Sequence, residues 1–403
     1  MVTGAGGTPG STPPPHAKDL PVLAPARPSR GDLLGAAADG AGRPQDGRRG
    51  RHRHRSRDGA RRRDRREGAE LQPPAAQKLP AICTYGRYEV LGRIAFGGMA
   101  EIFLGRETTA VGASRYLVIK RILPHVADDD QFVQMFLDEA RLAIQLNHPN
   151  ICHIYEFGEL ESSYFIAMEW VNGVPLGKLI RKARLLGGIP PELGVRIIAQ
   201  ISEALHYAHR AKDALGRPLG IVHRDVSPHN VMVAYDGQVK LLDFGIAKAS
   251  SHASKTEAGV VKGKFSYMAP EQCLGKPIDA RADVFALGIC LYEVLTGQAL
   301  YHKENEYETM RAVIHDDAPS IRETRTDLPE ALDGIVQRAL KKKAEDRFQT
   351  AGELQMALER WLADAKKVVN AASIGELMEE LYEEQIGAAR SSTRRPSASR
   401  SSA

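Results

Sequence analysis

The chain has little with which to build a covalent or metal framework. Only four of its 403 residues are cysteine, and Cys83, Cys152, Cys273 and Cys290 contain no pair two residues apart. Disulfide scaffolds and zinc ribbons are therefore excluded, and a reducing cytoplasm is the expected setting. His209, His223 and His229 share no ligand spacing, so no metal role is expected of their imidazoles. Long apolar runs are also missing. None approaches the roughly 20 residues that cross a bilayer. The first residues show no basic stretch leading into an apolar one, so no secretory signal is expected. A signal from outside the cell would have to be carried to this chain by a partner.

Charge is unevenly spread. The net +5 combines a tail with 16 Lys/Arg against 8 Asp/Glu in residues 1–80 and a remainder with 39 against 42. Residues 1–80 are rich in Gly, Pro, Ala and Arg, which cannot bury enough surface to offset chain entropy. They are expected to form a disordered basic extension. Arg48–Glu67 holds 11 arginines and no aromatic residue for base stacking. Two readings stay open: a handle for acidic partners or nucleic acid, and a solvated tail or sequence translated upstream of the true start.

From Tyr88 onward short β-branched runs appear: Tyr88–Gly92, Ala100–Gly105, Tyr116–Arg121, Ile151–Gly158 and Tyr164–Met168. One helical stretch, Asp130–Leu146, interrupts them. After Val171 the pattern is mostly helical, with Pro190–Arg210, Ala280–Thr296, Leu328–Leu340 and Thr350–Leu362. The pattern predicts a globular part over 81–362, strand-rich at about 85–170 and helical at about 171–362. Residues 363–389 predict a helical extension, with Ser373 as N-cap of Ala371–Ala389 and Leu377, Met378, Leu381 and Ile386 along one face. The Ser/Arg-rich end, 390–403, is expected to be disordered.

Three motifs follow one another in this helical part. They are His223-Arg224-Asp225-Val226-Ser227-Pro228-His229-Asn230, then Asp243-Phe244-Gly245, then Ala269-Pro270-Glu271. Val118-Ile119-Lys120 precedes them. Each alone is weak; the ordered set is specific. Over about Tyr88 to Leu362 the sequence resembles the bacterial eukaryotic-like (Hanks-type) serine/threonine protein kinases. The resemblance implies an α+β, two-lobed protein kinase fold with ATP between the lobes. It implies an ATP-dependent enzyme that moves the γ-phosphoryl to hydroxyls of protein substrates.

It also implies roles. Asp225 would accept a hydrogen bond from the substrate hydroxyl, and Asn230 and Asp243 would offer oxygens to Mg²⁺. Lys120 would hold the α- and β-phosphates, kept in aim by Glu139 on the predicted helix. Ile94, Gly97, Gly98 and Ile102 fall on the phosphate-covering loop, where only the middle glycine of the family pattern is kept. Met168, Glu169 and Val171 fall on the hinge that would meet adenine. Asp283 would brace the catalytic loop, and Arg347 would pair with Glu271.

Two departures stand out. Ser227 replaces the usual lysine after the catalytic aspartate, and Lys264 replaces a usual threonine before Ala-Pro-Glu. Lys264 is therefore expected to return the missing cation from the facing side. Thr256 is the expected autophosphorylation site, with Arg224 as the cation that would hold its phosphate. The tail serines and threonine, Ser391, Ser392, Thr393, Ser397 and Ser399, are expected secondary sites and a docking point. A solvated tail without a role is the other reading. The rival for the whole is a pseudokinase scaffold that binds partners or nucleotide without turnover. A small-molecule phosphotransferase is disfavoured by the Ala-Pro-Glu run and by the long segment before it.

Overall fold

The computed structural model describes residues 81–97, 100–127, 129–160, 163–244 and 264–393. The basic segment 1–80 lies outside them. The β-branched runs form one antiparallel sheet of β1 (Cys83–Tyr85), β2 (Tyr88–Phe96), β3 (Ala100–Thr108), β4 (Ser114–Ile122), β5 (Ile154–Leu160) and β6 (Ser163–Glu169), in the order β1-β2-β3-β4-β6-β5. Alternation places Tyr88, Val90, Leu117, Ile119 and Phe165 on one buried face. Tyr85 packs edge-on against Phe165 at 5.1 Å. Between β4 and β5 lie α1 (Pro124–Ala127) and α2 (Asp130–Ala143). Helix α2 stops three residues short of the predicted end, in a stretch that runs into Pro149, which cannot continue a helix.

After Glu169 the chain crosses into the second lobe. There a three-stranded sheet, β7 (Gly173–Pro175), β8 (Val231–Ala234) and β9 (Val239–Leu241), lies beside α3 (Leu176–Arg184) and α4 (Pro191–His209). A 3₁₀ turn at Lys264–Tyr267 leads to α5 (Pro270–Cys273) and α6 (Ala280–Thr296). Helices α7 (Glu306–His315), α8 (Ile321–Thr324), α9 (Glu330–Ala339) and α10 (Ala351–Asp364) follow. The sequence of α6 is mostly apolar on every side, Asp283 and Glu293 apart, and every residue from Ala282 to Thr296 is buried, so α6 is the axis of this lobe. The Asp279 side chain caps its start, and Gly297, left-handed at φ 70°, ends it.

The last helix, α11 (Ala371–Thr393), departs from expectation at both ends. Ser373 is inside it, and the Ser373 N–H donates to Asn370 Oδ1 at 3.1 Å, so Asn370 is the capping side chain. At the other end the helix continues to Thr393, four residues into the stretch expected to be disordered. Ile374, Leu377, Met378, Leu381 and Tyr382 are buried in the core of the helical lobe. Among the described residues no helix is long and apolar enough to cross a membrane.

Candidate active site

The loop after α4 is held from below by one carboxylate. Asp283, on α6, is fully buried and accepts the N–H groups of His223 and Arg224, both at 2.8 Å. His209, at the end of α4, adds its Nε2 at 2.7 Å. Burial alone would push the Asp283 carboxyl up, but the bond and charge of His209 and the His223 N–H outweigh it and hold the group below its ordinary range. The imidazole of His223 is buried and held below its usual range, chiefly by burial. A neutral ring fits its contacts: one nitrogen meets Leu242 O at 2.9 Å, and the other accepts the Asp225 N–H at 3.3 Å. Arg224 takes a left-handed φ of 65°, which a bulky residue adopts only when its surroundings enforce it.

This loop presents Asp225. Asn230 Nδ2 donates to Asp225 O at 2.8 Å and to Asp225 Oδ2 at 3.0 Å. The amide nitrogen is thereby committed, which leaves the amide oxygen as the atom of Asn230 that could ligate a cation. Asp243, left-handed at φ 43°, stands beyond β9, and its Oδ1 accepts Lys120 Nζ from β4 at 2.9 Å. Phe244 is buried with its ring 4.7 Å from that of His223. Asp225, Asn230, Asp243 and Lys120 thus meet at one place, drawn from both lobes. Two hard oxygen donors beside a carboxylate and an ammonium suit a magnesium-bound polyphosphate. Glu139 lies on α2, and its side chain, with the expected Lys120 pairing, is outside those described.

Next to Lys120 runs the β2–β3 hairpin, with Ile102 of β3 paired to Lys120 of β4. Ile94 lies at a bulge of β2 and Ile102 lies on β3, both half-buried. Gly97 donates to Ala100 O at 2.9 Å without a left-handed φ, and a Cβ there would meet only Ala100 O, at 3.4 Å. Gly98 is outside the described residues. At the back, Met168 and Val171 are buried. The Glu169 N–H is already taken by His153 O at 2.8 Å, leaving its carbonyl as the group that could meet a base edge. Its carboxylate holds Lys240 of β9 at 2.9 Å. The Cys152 thiol, pushed up by burial and so neutral, lies 3.6 Å from the same carbonyl.

On the other flank, Glu271 and Arg347 form a bidentate pair at 2.7 and 2.8 Å. Tyr267, at the end of the 3₁₀ turn, donates to Glu293 of α6 at 2.9 Å. Ser227 is buried; Lys264 opens the 3₁₀ turn, with its side chain outside those described. Thr256 is outside the described residues altogether. Sequence reasoning missed His209, Lys240 and Glu293. Their partners lie 74, 71 and 26 residues away, so no local spacing marks them.

A strand-rich lobe delivering a lysine to an aspartate, above a loop pairing an aspartate with an asparagine, defines a protein kinase scaffold. The family model described as the protein kinase domain matches residues 88–360, and the chain belongs to that family. It is 44% identical over 308 residues to the tyrosine-protein kinase MasK of Myxococcus xanthus, covering 76% of this chain and 48% of that one. It is 36% identical over 282 residues to the serine/threonine-protein kinase PknB of Mycobacterium tuberculosis, covering 68% and 42%. Identity to the serine/threonine-protein kinase PrkC of Bacillus subtilis is 33% over 291 residues, covering 72% and 42%. The chain spans less than half the length of these relatives. The solved PknI kinase domain of M. tuberculosis superposes with a TM-score of 0.54 at 27% identity, covering 71% of this chain and all of that one.

Proposed function

We propose that this chain is a serine/threonine protein kinase that moves the γ-phosphoryl of ATP to protein hydroxyls. The observation that carries the reading is the 2.9 Å pair of Lys120 and Asp243, which closes one site between the two lobes. Asp225, fixed by Asn230, accepts the proton side of the substrate hydroxyl and aims its oxygen. Lys120 is the cation for the α- and β-phosphates, with Glu139 as its second anchor. Asn230 and Asp243 hold Mg²⁺, which when bound neutralises charge on the phosphate oxygens. Ile94, Gly97, Gly98 and Ile102 cover the nucleotide, and Met168, the Glu169 carbonyl and Val171 face its base.

Lys264 supplies the cation absent at Ser227. Arg224 Nε is buried and has no hydrogen-bond partner among the described residues, which supports an anion arriving there. A phosphate on Thr256 is the anion proposed. The Ser/Arg-rich end, 390–403, is proposed as a docking point after phosphorylation. All four cysteines are free thiols, as suits a cytoplasmic protein.

The test is incubation with radiolabelled ATP and Mg²⁺, with and without a generic protein acceptor. Label in the acceptor supports the reading; nucleotide binding without transfer supports a pseudokinase scaffold. The likeness to MasK, a tyrosine-protein kinase by name, favours a second reading, transfer to tyrosine. Phosphoamino-acid analysis of the labelled product separates the two.

A further inference from the structure

Helix α11 lies beyond the matched kinase domain, which ends at residue 360, yet it seats on the part of the site that carries the two proposed metal ligands. Strand β8 begins directly after Asn230, and β9 ends two residues before Asp243. The two ends are tied by the Leu242 N–H to Asn230 O bond at 2.8 Å. Only three residue pairs, Val231 with Leu241, Met232 with Lys240 and Val233 with Val239, make up this ladder. So short a hairpin is marginal by itself; β7 pairs with β8 along its length, and the turn depends on what covers it.

Its turn is covered by α11. Gly237 sits in that turn at φ 85°, and a Cβ there would lie 1.8 Å from Ala371 O and 2.6 Å from Gly375 N. Backbone meets backbone, and no other residue type fits. Further along, the Tyr382 ring lies 5.8 Å from that of Tyr235, the residue after β8. Lys182 of α3 places its ammonium 3.9 Å over the same Tyr382 ring. Helix α11 breaks its helical geometry at Tyr382 (φ −127°, ψ 29°), so the ring is seated at the kink. Helix α3 also reaches the catalytic loop, through the Gly177 N–H to Pro228 O bond at 2.9 Å. Both routes run from α11 to the loop and hairpin that hold Asp225, Asn230 and Asp243.

We propose that α11 is a positioning element of the catalytic site, with Gly237 and Tyr382 as positioning residues that set the register of the Asn230–Asp243 hairpin. The proposal rests on the reading of Asn230 and Asp243 as Mg²⁺ ligands. Misplacing reacting groups by about 1 Å can cost on the order of 100-fold in rate, so a loosened turn should register in turnover and in metal demand.

The experiment uses the full chain with Mg²⁺, ATP and a generic acceptor. Gly237→Ala and Tyr382→Ala should each raise the Mg²⁺ concentration for half-maximal rate by about fivefold or more and lower kcat. The KM for acceptor should stay unchanged. Tyr382→Phe, which keeps the ring, should restore wild-type values, and Glu376→Ala on the exposed face should not depart from them. Amide exchange over 231–241 should quicken in the two damaging variants. Variants that melt earlier but keep wild-type Mg²⁺ dependence and kcat would overturn the proposal, leaving α11 a stabilising helix only. Should Tyr382→Ala fail to fold, Lys182→Gln decides: the same shift in Mg²⁺ dependence supports the proposal, and none overturns it. Asp243→Asn is the reference. If it leaves Mg²⁺ dependence unchanged, the ligand assignment fails and the proposal with it.

Discussion

Arg347 holds Glu271 with both arms of its guanidinium, across 76 residues of sequence. Its other three N–H groups go to the carbonyls of Lys341, Lys342 and Arg281 at 2.7, 2.9 and 3.0 Å. All five donors of a fully buried side chain are therefore satisfied. Arg347→Ala should cost about 3–5 kcal/mol, because it strands a carboxylate and three carbonyls. Arg347→Lys should recover little, since an ammonium cannot match the planar fork. Urea denaturation of the three proteins measures this, and a lysine variant of wild-type stability would refute it.

Asp225→Asn and Lys120→Met should each lower phosphoryl transfer by on the order of 100-fold or more while leaving melting temperature near wild type. Circular dichroism alongside the radiolabel assay separates lost chemistry from lost fold. Transfer at wild-type rate in both variants would remove the site assignment.

Lys264→Thr should lower kcat strongly, and adding Ser227→Lys should return much of it. The transferring phosphoryl carries charge on three oxygens, and a cation from either side can stabilise it. The double-mutant cycle is the measurement. Two effects that simply add would mean that the two positions do not exchange roles.

Thr256→Ala should abolish the main activation-segment phosphorylation seen by mass spectrometry of the purified enzyme. It should also slow transfer to other proteins. Arg224→Gln should mimic the slowed transfer, because the proposed phosphate would then lack its cation. A segment that is unmodified in a fully active enzyme would count against this.

Burial pushes the Glu293 carboxyl up to about 7, against the opposing bonds from Tyr267 and from the Leu300 N–H. The folded state then binds this proton more tightly than the unfolded state does. The group's contribution to stability is fully present below its ordinary value of 4.5 and is lost as pH rises through about 7. The total is on the order of 3 kcal/mol, because each tenfold gain in proton affinity is worth about 1.4 kcal/mol. Glu293→Gln keeps a hydrogen-bonding amide and removes the titration. Denaturation midpoints between pH 5 and 8 should therefore fall less steeply in the variant than in the wild type. Parallel profiles would show that Glu293 is ionised throughout.

Most of the fold was legible because its signals are local. The β-branched runs Tyr116–Arg121 and Tyr164–Met168, and the long, mostly apolar stretch of α6, each fix an element within a few residues. The motifs around Asp225, Asn230 and Asp243 were legible for the same reason: each is a short string. What holds those strings was not legible. Asp283 could be named from its motif, but nothing near His209 signals that its ring meets that carboxylate. The hinge carboxylate of Glu169 finds Lys240 only after the sheet of one lobe meets the hairpin of the other. Ser373 misled as a cap because Asn370, three residues earlier, competes with the same chemistry and wins.

The seat of α11 also bears on where this chain can be cut. A fragment ending with the matched domain at residue 360 would lack Ile374, Leu377, Met378, Leu381 and Tyr382. The surface that they cover, beside Tyr235, Gly237 and α3, would then face water as an apolar patch next to a short hairpin. Such patches drive self-association. The shortest soluble, monodisperse fragment is therefore expected to reach at least Ile386, well past the family boundary, and light scattering of a truncation series would locate that limit.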